Sequence, residues 1–263
     1  MQVSVSRRRL MQVAPLALPW SKAVAAPAPE PSLLEVFPVQ LPAMARETVS
    51  VSHGNFKRVK ELVEAHPSLA KATWDWGFGD WETALGAASH TGSRDIALYL
   101  IEKGAAPTLF SAAMLGHLEV VQALIQAQPG VQRIPGPHSI SLLAHAKNGG
   151  AGAAKVYAYL ESLGDAGSPA SAPLTEEESV ALAGTYSFGS GPTDQIEIKA
   201  ARARLEFTRA GTVTRGLVHL GGHVFHPAGA SGVRIRFTAA ESGMVLTVHD
   251  PDLVLSARRT ANP

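Results

Sequence analysis

Thr83-Ala84-Leu85-Gly86-Ala87-Ala88-Ser89-His90-Thr91-Gly92 reads as one short helix of small residues, with a threonine suited to cap its start and a glycine suited to end it in a left-handed conformation. The same punctuation returns on either side. Ser52-His53-Gly54, Met114-Leu115-Gly116 and Asn148-Gly149-Gly150 each close one amphipathic segment and open another. Their glycines, Gly54, Gly92, Gly116 and Gly150, lie 38, 24 and 34 residues apart. The segments that follow carry apolar stripes at Val59, Leu62 and Val63; at Ile96, Ala97, Leu100 and Ile101; and at Val120, Val121, Leu124 and Ile125. One stripe per helix is what stacked repeats bury between them. The outer copies carry polar residues at matching positions: Arg58 stands where Ile96 and Val120 do, and Glu161, after a two-residue insertion, where Ile125 does. The pattern predicts a helical stack of about four repeats over residues 43–163, its end faces turned to water.

The run Thr83–Gly92 resembles the first helix of an ankyrin repeat, and Gly116-His117-Leu118-Glu119-Val120-Val121 resembles the family's turn into its second helix. Gly104-Ala105 falls where the family's helix-ending Gly-Ala does. The family's Thr-Pro-Leu-His tetrapeptide is absent from every copy. The resemblance implies a concave surface and projecting fingers that recognise a protein or peptide.

After residue 180 the period changes from helical to alternating. Ala183 to Phe188, Gln195 to Ile198, Arg204 to Phe207, Leu217 to Leu220, Val224-Phe225, Val233 to Phe237, Met244 to Val248 and Leu253 to Leu255 read as short strands at hairpin spacing, hence an antiparallel meander closed into a small barrel over 180–260. Leu182-Ala183-Gly184-Thr185-Tyr186 and the ladder after it resemble the small lipocalin-like domain at the C-terminus of secreted β-lactamase-related peptidases. The fold expected is therefore α+β and multidomain: an ankyrin-like helical repeat stack followed by a small antiparallel β-barrel or meander. Residues 164–179, rich in Gly, Pro and Ser before an acidic run, read as a polar linker between independent domains.

Arg7, Arg8 and Arg9 precede an apolar run from Leu10 to Leu18 and a small-residue segment at Ala23-Val24-Ala25. This pattern resembles a twin-arginine signal peptide over 1–25, followed by a proline-rich extended linker over 26–42. A periplasmic or secreted protein with no stable membrane span after cleavage is expected. The chain has 263 residues, no cysteine and a formal charge of +1. Disulfides and thiolate chemistry are thereby excluded, and no electrostatic attraction to nucleic acid is expected.

No catalytic constellation emerges. Ser68-Leu69-Ala70-Lys71 has the Ser-x-x-Lys spacing of penicillin-recognising enzymes, but the chain has no Ser-Asp-Asn or Lys-Thr-Gly. His219, His223 and His226 have metal-like spacing, but a Gly221-Gly222 hairpin turn would set His223 on the face opposite the other two. His53, His90 and His145 read as lining the concave surface rather than holding an ion, and no cofactor or metal is expected. Gly189-Ser190-Gly191-Pro192 lacks the helix a phosphate loop needs. The segment that stands out holds three of the four tryptophans: Trp74, Asp75, Trp76, Phe78, Asp80 and Trp81. With His138 on a second, proline-stiffened finger, these residues form the expected partner contact, aromatic anchors being the groups that carry interface energy. The function expected is a non-enzymatic module that binds an unidentified protein or peptide of the cell envelope. Alternatives are a carrier of a small apolar ligand or lipid in the barrel, or an accessory or inhibitory subunit of a cell-envelope enzyme.

Overall fold

The structure is a computed structural model that describes residues 39–241, 243–250 and 253–260. The signal sequence expected over 1–25, and most of the segment 26–42, lie outside these residues. Pro42 is the first residue of helix α1 (Pro42–Val51), a position where its missing N–H costs nothing. Three more helix pairs follow α1 and α2 (Phe56–Ala65): α3 (Ala84–Thr91) with α4 (Arg94–Glu102), α5 (Leu109–Leu115) with α6 (Leu118–Ala127), and α7 (Leu142–Asn148) with α8 (Ala154–Leu163). The first helices pack in sequence order, α1 on α3, α3 on α5 and α5 on α7.

Local chemistry sets these boundaries. Thr83 Oγ1 accepts a hydrogen bond from Gly86 N, Thr108 and Ser111 cap each other reciprocally, and Ser141 Oγ accepts from Ala144 N. Gly92 and Gly116 end α3 and α5 with φ of 75° and 80°. A Cβ on Gly116 would also collide with the carbonyl oxygen of Gly152 in the next pair. Gly116→Ala is thus expected to lower stability by more than about 1 kcal/mol; an unchanged melting temperature would contradict both reasons for glycine there.

Val59, Leu62, Val63, Ile96, Ala97, Leu100, Val121 and Ile125 are buried as the stripes predict, but Val120 and Leu124 are exposed. The second helices bury a narrower face than a four-residue stripe implies.

The acidic run assigned to the linker is the first turn of another helix, α9 (Glu176–Leu182). Thr175 and Glu178 form a capping box, and three glutamates sit at the positive end of the helix dipole. Leu182 then enters the core of the following barrel. That barrel is a closed antiparallel ring of eight strands, β3 (Gly184–Ser187), β4 (Gln195–Ala200), β5 (Leu205–Arg209), β6 (Arg215–Gly221), β7 (Val224–Pro227), β8 (Arg234–Ala240), β9 (Gly243–Asp250) and β10 (Leu253–Arg259). Sequence neighbours pair throughout, and β10 pairs with β3 to close the ring. Alternate residues such as Ile196 and Ile198, Ile235 and Phe237, and Leu246 and Val248 fill the interior.

One turn differs from expectation. His219 pairs with Phe225 and Gly221 with Val224, a bulge accommodates Leu220, and the tight turn is Gly222-His223. Both turn residues have φ near +57°, as a type I′ hairpin turn requires. His219 Nδ1 bonds to Pro173 O and His226 Nδ1 to Pro227 O, so these rings serve local contacts.

The two parts are joined. A two-stranded hairpin, β1 (Thr73–Asp75) and β2 (Trp81–Thr83), projects from the stack, and its tip meets the barrel. Phe78 packs edge-on to Phe207 at 6.0 Å, Arg215 Nη1 donates to Asp80 Oδ2 at 2.8 Å, and Gly229 N donates to Ser139 Oγ at 2.7 Å. The composition of the linker implies independence, but these contacts come from loops far from it in sequence.

Candidate metal centre

The hairpin pairs Trp74 with Glu82 and Asp75 with Trp81. Its turn needs unusual backbone: Gly77, Phe78 and Gly79 all have positive φ, and Asp75 Oδ1 accepts from Gly77 N at 2.8 Å. Side chains alternate along a strand. Trp81 therefore faces outward, 62% exposed, while Asp80 and Glu82 on either side of it turn inward and are buried.

Three histidines from three parts of the stack converge on Glu82. His53 follows α1, His90 lies in the last turn of α3, and His138 sits on the second finger with φ of 57°. His90 Nε2 lies 2.8 Å from Glu82 Oε1, His138 Nε2 3.4 Å from Oε2, and His53 Nε2 3.6 Å from Oε2. One donor atom from each of the four residues fits within a span of 4.8 Å. Two ligands about 2.1 Å from one tetrahedral ion stand roughly 3.4 Å apart, so the spacing suits a zinc-sized cation.

Hydrogen bonding around this cluster decides which nitrogens face inward. His53 Nδ1 is 2.9 Å from Ser50 O and 3.2 Å from Val49 O. Carbonyls only accept, so that nitrogen carries the proton. His138 Nδ1 lies 2.6 Å from Asp80 Oδ2, and the same argument applies. In the neutral rings both Nε2 atoms then present lone pairs to the cluster. His53 Nε2 is only 3.1 Å from His90 Nε2, a pair of acceptors unless a proton or a cation lies between them. Glu82 Oε2 accepts from Trp76 Nε1 at 2.7 Å. Oε1, despite its proximity to His90, is buried with no hydrogen bond among the described residues. A buried carboxylate oxygen so left is costly without a positive partner.

A second layer holds the first. Asp80 takes the side chain and backbone N–H of His138 and the guanidinium of Arg215. Carboxylate–histidine pairs of this kind fix the tautomer and orientation of metal-ligating rings. Burial alone would raise the Asp80 pKa, but the bonds from His138 and Arg215 prevail and lower it. Glu82, likewise pushed up by burial, is brought down to about 2 by the neighbouring His138, His90 and His53. Burial would lower His138, yet its bond to Asp80 and the nearby Glu82 carboxylate hold it up at about 9, so a bound ion would displace its Nε2 proton. Burial and the nearby His90 push His145 down to about 4 against its bond to Ser141.

The pH dependence of stability follows from these directions. His138, raised above its ordinary 6.5, contributes stability that is full below pH 6.5 and lost as pH rises through about 9. His145 and Glu82, both lowered, contribute stability that is full above 6.5 and 4.5 and lost as pH falls through about 4 and 2. The metal-free chain should therefore melt highest near pH 6.5 and progressively lower on either side. A melting temperature flat from 6.5 to 9.5 would contradict the His138 assignment.

Of the residues expected to contact a partner, the structure gathers Trp76, Asp80 and His138 into this site. Phe78 enters the barrel interface. Trp74 packs against the core of the stack with Arg46 over its ring at 5.9 Å, and Asp75 holds the hairpin turn. Trp81 is open to solvent. Sequence reasoning did not place Glu82, His53, His90 or Arg215 in the site. His53 and His90 were read as lining a surface; the shared punctuation around Gly54 and Gly92 could have placed them at equivalent ends of adjacent helices. Ser68 accepts from Gln40 at 3.0 Å and is exposed, consistent with a turn.

Above the cluster, a cavity of about 320 Å³ bordered by His53, His138, Trp76 and Arg215 gives an ion a way in. No family model, no curated protein and no solved structure matches this chain.

Proposed function

We propose that the chain is a binding protein for a divalent transition-metal ion, held by His53, Glu82, His90 and His138. The observation that carries this reading is the pair of proton-fixing bonds at His53 and His138, which leave Nε2 of each ring, facing the buried Glu82 carboxylate, as the atom able to bind an ion. Imidazole and carboxylate suit zinc and its neighbours. Four protein donors complete a tetrahedron, so binding rather than metal-centred catalysis is the reading preferred. Titrating the metal-free full-length chain with Co²⁺ tests it. Visible absorption of tetrahedral Co²⁺ should saturate at one equivalent and vanish on addition of Zn²⁺. Absence of a saturable signal with either ion would end the proposal.

The scaffold is read as ankyrin-like repeats on the strength of the glycine-ended first helices, and the barrel as lipocalin-like on its Leu182–Tyr186 opening. Export by the twin-arginine route, suggested by Arg7 and Arg8, belongs to the same proposal. A second reading, recognition of an envelope protein, is favoured by Trp81, whose ring stays 62% exposed on the outer face of the hairpin. Trp81→Ala would then abolish partner capture without altering metal binding.

A further inference from the structure

We infer that the metal-loaded site also takes a small organic acid with an apolar body, its tail in a cavity between hairpin and barrel and its carboxylate beside Arg215. This rests on the metal reading above. Next to the entry cavity lies a second one of about 200 Å³. Phe78, Ile196, Phe207, Val248 and Leu255 are among its walls, and it shares Trp76, Val213 and Arg215 with the first. A cavity of about 150 Å³ is enough for a benzene ring, so this one holds a short alkyl chain or an aryl group.

Arg215 stands where the two cavities meet. Its side chain is 6% exposed. Nη1 is committed to Asp80 Oδ2 and Ala228 O at 2.8 and 2.7 Å, while Nη2 is buried with no acceptor among the described residues. A guanidinium presents a fork suited to a carboxylate, and here one prong is unused. Charge points the same way. With a divalent ion bound, ligating histidines are neutral, and the carboxylates of Asp80 and Glu82 face one guanidinium and two ionic charges. One positive charge is left over beside an apolar cavity, and an anionic head attached to an apolar tail satisfies both.

Octanoate is the probe and octanol, of equal chain length, its uncharged control, each titrated calorimetrically into the Zn²⁺-loaded full-length chain. Octanoate is expected to bind at least tenfold more tightly than octanol. Leu255→Trp, which fills the second cavity and does not border the first, should abolish octanoate binding while Zn²⁺ affinity stays unchanged. Should Zn²⁺ bind but octanoate show no preference over octanol, or bind the Leu255→Trp chain as well as the parent, the organic-acid site is overturned and the metal site stands. Failure to bind Zn²⁺ at all would remove the reading beneath and this inference with it.

Discussion

Glu82→Gln should lower Zn²⁺ affinity by more than about 100-fold while leaving the helical content of the chain intact. Loss of a residue that only orients a ligand typically costs 10–100-fold, and Glu82 is the sole carboxylate in the first layer. The amide keeps the volume of the side chain and an oxygen that can still accept from Trp76 Nε1, 2.7 Å away in the parent, so the hairpin has no steric reason to move. What it removes is the charge that offsets the ion, carried by a side chain that is itself fully buried. Competition against a chromophoric chelator measures the effect. An affinity within threefold of the parent would show that the three histidines bind alone, or that no ion binds where proposed.

Asp80→Ala is expected to cost about 3–5 kcal/mol in stability, because it strands the Arg215 guanidinium in a buried place. Asp80 and Arg215 side chains are 2% and 6% exposed, and 2.8 Å separates the charged atoms. For a chain this long the loss corresponds to roughly 10 °C in melting temperature. The double variant Asp80→Leu with Arg215→Met should recover most of it, since an apolar pair of similar volume avoids the desolvation of two charges. Zinc affinity should fall in both variants, by about 10–100-fold, because His138 loses the carboxylate that orients it. A single variant as stable as the parent would mean that the hairpin does not fasten stack to barrel.

Periodicity made the scaffold readable. Glycine-punctuated helical segments and alternating strands are local patterns, and the helices and the barrel stand where those patterns lie. Helix α9 was hidden because three consecutive glutamates look like linker composition, whereas at a helix start they are stabilising. The Gly222-His223 turn was misplaced by one residue because two adjacent glycines compete for it and only the bulge at Leu220 decides. The site was half legible. Trp76, Asp80 and His138 stood out by composition, but the direction in which a finger points is set by what it packs against. Glu82 and Asp80 face inward because Trp81 between them faces out, an alternation visible only once Trp74–Asp75 is known to pair with Trp81–Glu82. Arg215 meets Asp80 across 135 residues of chain, and no local pattern encodes that pairing.

The closure of the barrel has a consequence for the order of synthesis. Its last ladder joins Arg258 and Arg259 to Ser187 and Tyr186, so the ring cannot be completed until Arg259 has left the ribosome. His53, Glu82, His90 and His138 all precede it, and chains fold from the N-terminal end as they emerge. A nascent stack can thus gather the four residues proposed to hold an ion while Arg215 is still untranslated, with His138 alone bonded to Asp80. The barrel arrives last, and its arginine closes over a centre already assembled.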